Sequence, residues 1–359
     1  MDHKQTENSV YRILDAAINR AGEGIRVVED YVRMVLGDSH LSRQLKQLRH
    51  DLTLSVNSVD PAERIAARDS IGDVGRTIET ESEYDRGQGE KLTGSMIQAN
   101  LARAQQALRT IEEFSKSLDP GISKKVEQLR YRTYTIEKAV ITTVVSLQNL
   151  ASANLYVLID GRNANADEGK QLAELVTKLV DAEVSIIQLR DKSLADRELV
   201  AAARVISKLT RRSKTRFIMN DRADIALAAN ADGVHLGQDD IAVADARRMI
   251  GAAKMIGVST HSIEQARRAV LDGANYIGVG PVFKSTTKQF DSHVGLELVG
   301  QVAAEIQLPA FAIGGIGLTN VDSVVEAGMN RVAVSAAIAA ADDPAAVIKQ
   351  FKTQLMVEV

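Results

Sequence analysis

The stretch Val184-Ser185-Ile186-Ile187-Gln188-Leu189-Arg190-Asp191-Lys192 passes within nine residues from a β-rich run to a charged end. It is one of eight such runs. The others are Leu155–Asp160, Arg216–Asn220, Gly233–Leu236, Met255–Ser259, Tyr276–Val279, Ala310–Ile313 and Arg331–Ser335. Helix-length segments separate them at 168–180, 196–210, 242–250, 262–272, 295–306 and 319–328, with a shorter one at 223–230. Short apolar strands alternating with helical patterns signal βα units and a parallel sheet. Eight units within residues 151–359 match a closed (β/α)8 TIM barrel at the compact end of its size range. An open doubly wound sheet is the alternative, but it rarely keeps eight such regular units. The predicted class is therefore α/β over residues 151–359.

Residues 1–150 have another rhythm and predict an all-α bundle. Ile13, Leu14, Ala17, Ile18, Ala21, Ile25, Val28, Val32 and Val35 recur at three- and four-residue steps, one face of an amphipathic helix. Similar periods run through 41–54, 92–118 and 122–148, with the polar stretch 57–91 between the pairs. Asp119-Pro120-Gly121 signals a turn, with Ser123 as the cap of the following helix. The segment holding Arg20, Ile25, Arg26, Glu29 and Tyr31 lines up with Arg103, Leu108, Arg109, Glu112 and Phe114. Leu41…Arg49-His50 lines up with Ile122…Arg130-Tyr131. A helical hairpin is thus duplicated into a bundle of about four helices. Arg26 with Glu29, and Arg109 with Glu112, sit one turn apart. They read as solvated ion pairs, or as a charged seam that docks to the barrel or to a second subunit in a homo-oligomer. The stretch 68–76, with Arg68, Asp69, Asp73 and Arg76, reads as a loop that docks or binds a ligand.

The chain has 359 residues and no cysteine. That excludes a disulfide scaffold, thiolate zinc sites, iron–sulfur ligation and thiol nucleophiles. A metal would be held by oxygen donors or histidine, which favours a hard ion such as magnesium. The net charge of −3 gives no electrostatic footprint for nucleic acid. No apolar run reaches about 18 residues, so no membrane span is expected. The start, Met1-Asp2-His3-Lys4, has no apolar signal core, and a cytoplasmic protein is the default expectation.

In barrels of this class the chemistry sits at the C-terminal strand ends. Alternation puts Gln188, Arg190 and Lys192 on one side, two cations and an amide. Asn220-Asp221-Arg222 follows the third strand and His235…Asp240 the fourth. Ser259 ends the fifth strand, and Gly280…Ser285-Thr286-Thr287-Lys288 follows the sixth. Gly314-Gly315 ends the seventh and Val334-Ser335 the eighth. The glycine turn lets backbone amides approach a phosphate, and the end of the eighth strand supplies a helix N-terminus. Asp221 and Asp240 can share one Mg2+ with diphosphate oxygens, since that ion usually takes one or two carboxylates plus phosphate. No serine–histidine–acid set and no Schiff-base lysine is evident. The chemistry is read as departure of a diphosphate aided by metal and cations. His235 reads as part of a strand-end network rather than as a base, and Tyr276 as core.

Those segments, in that order, closely resemble the thiamine phosphate synthases across residues 151–359. The resemblance rests on Gln188…Lys192, Asn220-Asp221-Arg222, His235…Asp240, Gly257-Val258-Ser259, Gly280-Pro281-Val282-Phe283 leading to Thr287-Lys288, Gly314-Gly315-Ile316 and Val334-Ser335. It implies a transferase of thiamine biosynthesis. Such an enzyme joins 4-amino-2-methyl-5-hydroxymethylpyrimidine diphosphate to a carboxylated or decarboxylated thiazole phosphate, by a dissociative mechanism with Mg2+. It implies that Gln188, Arg190, Lys192, Asn220, Ser259 and Lys288 hold the pyrimidine diphosphate, with Arg190, Lys192, Ser259 and Lys288 as the catalytic set. Asp221 and Asp240 would bind the metal. Ser285, Thr287, Gly315, Val334 and Ser335 would hold the thiazole phosphate, and the intervening Leu189, Asp191 and Thr286 count among the substrate-binding residues. Lys284-Ser285 replaces the Pro-Thr common in the family, which keeps the hydroxyl. The competing expectations are a thiazole tautomerase-like barrel, which needs no diphosphate site, and a noncatalytic sensor of phosphate ligands. Every motif lies in the barrel, so the barrel alone is expected to retain the chemistry.

Overall fold

The computed structural model describes residues 3–69, 91–161, 168–284 and 294–356. They divide into two compact units, Met1–Val144 and Val145–Val359.

The first unit is helical. Helices α1 (His3–Tyr31), α2 (Ser39–Ser55), α3 (Pro61–Ala66), α4 (Lys91–Ser115) and α5 (Pro120–Asn149) appear in that order. Leu14, Ala17, Ala21, Ile25 and Val28 form the buried face of α1, and Ile97, Leu101, Ala104, Leu108 and Ile111 that of α4. The two helices approach closely at Gly24, where an added Cβ would lie 2.7 Å from the Asn100 carbonyl oxygen.

The apolar stripe of α1 does not continue to Val35. Residues Val32–Leu36 form a π-helical turn. The wider turn slips the side-chain register, leaving Val32 buried and Val35 71% exposed. Asp38 then caps α2 by accepting from the Leu41 amide at 2.8 Å. Ser123 is not the cap of α5. It is buried inside the helix. Asp119 caps instead, accepting from the Gly121 amide at 2.7 Å with Pro120 in the first turn. Helix α3, not expected in the polar stretch, has the same grammar of Asp60 cap and Pro61 start.

The duplicated ion pairs are interhelical clamps rather than solvated pairs. Glu29 and Glu112 are both buried. Arg49 Nε lies 2.9 Å from Glu29, and Arg130 Nε 2.9 Å from Glu112. Arg26 (3.7 Å) and Arg109 complete the two clamps from the acid's own helix. In the second copy Arg130 also stacks on Tyr131, 4.9 Å from the ring centroid. Truncating Arg130 to alanine leaves a buried carboxylate half-paired. It should destabilise this unit by on the order of 3 kcal/mol, read as faster hydrogen exchange in α4 and α5 during a urea series. Arg68 forms a two-bond pair with the buried Asp15 (2.8 and 2.9 Å), and Arg12 meets Asp69 at 3.6 Å. These two members of the 68–76 stretch are thus pinned to α1, and residues 70–76 lie outside the described residues.

The second unit is a closed barrel of eight parallel strands paired in sequence order, with β8 back on β1. The strands are β1 (Leu155–Ile159), β2 (Ile186–Leu189), β3 (Arg216–Asn220), β4 (Gly233–Leu236), β5 (Met255–Thr260), β6 (Tyr276–Val279), β7 (Ala310–Ile313) and β8 (Val332–Val334). Helices α6 (Glu168–Asp181), α7 (Asp196–Thr210), α8 (Ala223–Ala228), α9 (Val243–Ile250), α10 (Ile263–Asp272), α11 (Gly295–Glu305) and α12 (Val321–Glu326) join consecutive strands. After β8 come α13 (Ala336–Ala339) and α14 (Pro344–Leu355). Tyr156, Leu158, Ile186, Ile218, Tyr276, Phe311 and Ala333 fill the interior. Among the described residues no helix is long and apolar enough to cross a membrane.

Candidate active site

Strand alternation places the site. Residues two beyond an interior core residue keep its parity, so Gln188 follows Ile186, Asn220 follows Ile218, and Ser335 follows Ala333. Leu189 and Val334 have the opposite parity and are buried in the wall at 0% and 3% exposure. Their side chains face away from the interior, which leaves only the backbone of Leu189 and Val334 turned toward the site.

Asp221 follows β3 with a left-handed backbone, φ 57°. Its amide donates to the His235 carbonyl at 2.8 Å. Lys192 Nζ stands 3.4 Å from its carboxylate, and the Asp240 carboxyl lies within hydrogen-bonding reach. Burial and then Asp240 push the Asp221 carboxyl above its usual range, against the pull of Lys192. Asp240 is oriented by the Gly237 amide, which donates to it at 2.6 Å. Two carboxylates are therefore brought together with one lysine, a donor set that fits Mg2+. No group of three or more histidine, aspartate or glutamate side chains converges among the described residues. A bound ion would draw its remaining ligands from water or substrate oxygens.

Asp191, counted above among the substrate-binding residues, has its carboxylate engaged by its own loop and by Gly161. Its carboxylate accepts from the amides of Gly161 (3.0 Å), Ser193 (2.8 Å) and Leu194 (3.2 Å) and from the Ser193 hydroxyl (2.6 Å). Those bonds hold its pKa below the ordinary carboxylate value against the effect of burial. It orders the loop that carries Lys192. Arg222 pairs with Asp196 (2.6 Å) and Asp224 (2.7 Å). Arg190 has no side-chain partner among the described residues.

The Gly314–Gly315 turn takes positive φ at both residues, 103° and 63°. A Cβ on Gly315 would lie 2.3 Å from the Lys284 carbonyl oxygen, so only glycine lets the two loops meet. The Gly315 amide has no acceptor among the described residues. Ser335 immediately precedes α13, a helix of only four residues, so the donors there are first-turn amides with little macrodipole behind them. Ser285, Thr286, Thr287 and Lys288 lie outside the described residues.

A buried polar chain crosses the interior below these ends. Gln188 Nε2 donates to Tyr156 Oη at 2.6 Å, and Tyr156 Oη lies 2.9 Å from Tyr276 Oη. Tyr276 Oη is 3.2 Å from His235 Nδ1, and His235 Nε2 is 2.9 Å from Ser259 Oγ. Burial drives the His235 pKa down to about 4 and raises those of both phenols. His235 is thus neutral at physiological pH. Tyr276 is core, as expected, but its hydroxyl links His235, singled out in the sequence, to Tyr156, which was not. Two tyrosines at interior parity were the overlooked signal, because a buried phenol needs a partner. Gly257 makes room for this chain, since a Cβ there would lie 2.1 Å from Tyr276 Cζ. Gly257→Ala should displace the ring and cost about 1–3 kcal/mol, measured as a lower urea midpoint for the barrel.

Comparisons with known proteins cover both units of the chain. Residues 155–338 match the family model described as thiamine monophosphate synthase, and residues 12–139 match that of the ThiD2 family. The thiamine-phosphate synthase of Rhodopirellula baltica is 43% identical over 343 residues, covering 93% of this chain and 89% of its own. That of Gloeobacter violaceus is 39% identical over 350 residues, 97% and 98% of the two chains. A solved thiamine phosphate pyrophosphorylase from Pyrococcus furiosus superposes with a TM-score of 0.50 at 30% identity, over 56% of this chain and 95% of that one. A barrel whose strand ends gather paired aspartates, cations and a glycine turn, in a chain alike to these synthases nearly end to end, belongs to the thiamine monophosphate synthase family.

Proposed function

We propose that the barrel is the catalytic part of a transferase of thiamine biosynthesis. It joins 4-amino-2-methyl-5-hydroxymethylpyrimidine diphosphate to a thiazole phosphate and releases thiamine phosphate and diphosphate. The C–O bond at the pyrimidine methylene breaks with its electron pair leaving on the diphosphate. The thiazole nitrogen lone pair then forms the new C–N bond, and a carboxylated thiazole also loses CO2.

The observation that carries this reading is the Asp221–Asp240 pair beside Lys192, with Arg190, which has no side-chain partner among the described residues, two residues before it. Asp221 and Asp240 would hold Mg2+, which when bound neutralises charge developing on the leaving diphosphate. Arg190 and Lys192, with Lys288, bind and orient that group. Asn220, Gln188 and Ser259 fix the pyrimidine end. The Gly315 amide and Ser335, with Ser285 and Thr287, receive the thiazole phosphate. The neutral His235 steadies Ser259 rather than taking a proton.

The test is the purified full chain with both substrates and Mg2+. Thiamine phosphate and diphosphate should appear in equal amounts. Binding of either substrate without product would overturn the reading.

A further inference from the structure

We infer that Gln188, Tyr156, Tyr276, His235 and Ser259 form one directional hydrogen-bond chain whose polarity fixes what its two ends offer a ligand: an acceptor at Gln188 and a donor at Ser259.

The argument is a count of protons. Tyr156 and Tyr276 are 2% and 0% exposed, and each hydroxyl has one proton to place. Tyr156 Oη already receives the Gln188 Nε2 hydrogen, so its own proton can go only to Tyr276 Oη, 2.9 Å away. Tyr276 Oη is then an acceptor there, and its proton goes to His235 Nδ1. A neutral imidazole that accepts at Nδ1 carries its hydrogen at Nε2 and donates it to Ser259 Oγ. Three groups remain unengaged among the described residues: the Gln188 Oε1 acceptor, the second Gln188 Nε2 hydrogen and the Ser259 hydroxyl proton. Reversing any one bond alone leaves a neighbouring buried contact with two protons or with none, at a cost of the order of a desolvated polar group. The bonds therefore turn together or not at all, and the two ends of the chain are coupled across the barrel. Tyr156, Tyr276 and His235 are positioning residues that act through Gln188 and Ser259. That the ligand is the pyrimidine diphosphate rests on the reaction proposed above; the polarity of the chain does not.

The test needs no substrate. Two-bond 1H–15N spectra of the 15N-labelled full chain at pH 8 report which ring nitrogen of His235 is protonated, assigned by the signal lost in His235→Gln. The wild type should show the Nε2–H tautomer. Gln188→Glu replaces the donor by a carboxylate, so the Tyr156 proton turns to it, every bond reverses, and His235 should switch to Nδ1–H. Adding Tyr156→Phe cuts the chain and should restore Nε2–H. A merely structural role would move none of these signals. Nδ1–H in the wild type, no switch in Gln188→Glu, or a switch that survives Tyr156→Phe would each overturn the proposal. The wild-type spectrum decides the polarity even if the buried glutamate unfolds the barrel. In turnover assays Tyr156→Phe should raise KM for the pyrimidine diphosphate about tenfold, the equivalent of one net hydrogen bond. KM for the thiazole phosphate should be unchanged, and an equal rise in both would overturn the link to the pyrimidine end. Were the transferase reading itself to fail, the tautomer results would stand unaffected.

Discussion

Asp221→Asn is expected to lower kcat by about a thousandfold, the scale of losing one strong electrostatic contributor to a transition state, with no recovery at saturating magnesium. Asparagine is the informative substitution. Residue 221 sits at φ 57°, which asparagine adopts readily and alanine does not. The amide bond to the His235 carbonyl is made by the backbone and survives. Only the charge is removed, so turnover at the wild-type level across magnesium concentrations would disprove the metal assignment. Asp240→Asn should behave alike, since an amide oxygen can still accept from the Gly237 amide.

The same variant carries a stability prediction. The folded protein raises the Asp221 pKa above its ordinary value through burial and Asp240. A raised carboxyl contributes stability below the unfolded pKa, and that contribution is lost as pH rises through the folded one. Without metal, Asp221→Asn should therefore unfold at higher urea than the wild type at pH 7, and the gap should close on acidification. Magnesium should stabilise the wild type and leave the variant nearly unmoved. A variant less stable than wild type at pH 7 without metal would contradict the electrostatics described.

Arg190→Gln is expected to cut kcat/KM for the pyrimidine diphosphate by a few hundredfold, about the value of a doubly hydrogen-bonded guanidinium on a phosphate. Arg190 has no protein partner among the described residues to share the loss. Arg190→Lys should recover only part of it, because an ammonium lacks the planar fork. Separate measurement of the two substrates checks this, since the KM of the thiazole phosphate should hardly move. An unchanged kcat/KM in Arg190→Gln would remove Arg190 from the site.

Much of the barrel was legible because each strand is a short β-rich run that ends in polar residues, and parity alone carries Ile186 to Gln188 and Ile218 to Asn220. Leu189 and Val334 lie inside recognisable segments, yet their side chains point outward. Asp191 was invisible as a loop organiser because its partners, Gly161, Ser193 and Leu194, are backbone amides brought together only by the turn. In the helical unit the spacing of Glu29 to Arg26 was plain. The clamp with Arg49 needed the packing of α1 against α2. Val35 failed because a period of 3.6 cannot anticipate a π turn.

The pairing of β8 with β1 also sets an order of events during synthesis. Leu155 finds its partner Val332 only after nearly the whole barrel sequence has been made. Until then the first strand has one open edge, and a ladder so distant in sequence is slow to close. The helical unit has no such wait, because its last helix begins at Pro120. On the ribosome it can be complete while the barrel is still unclosed, so the interval in which strand edges are exposed belongs to the barrel alone.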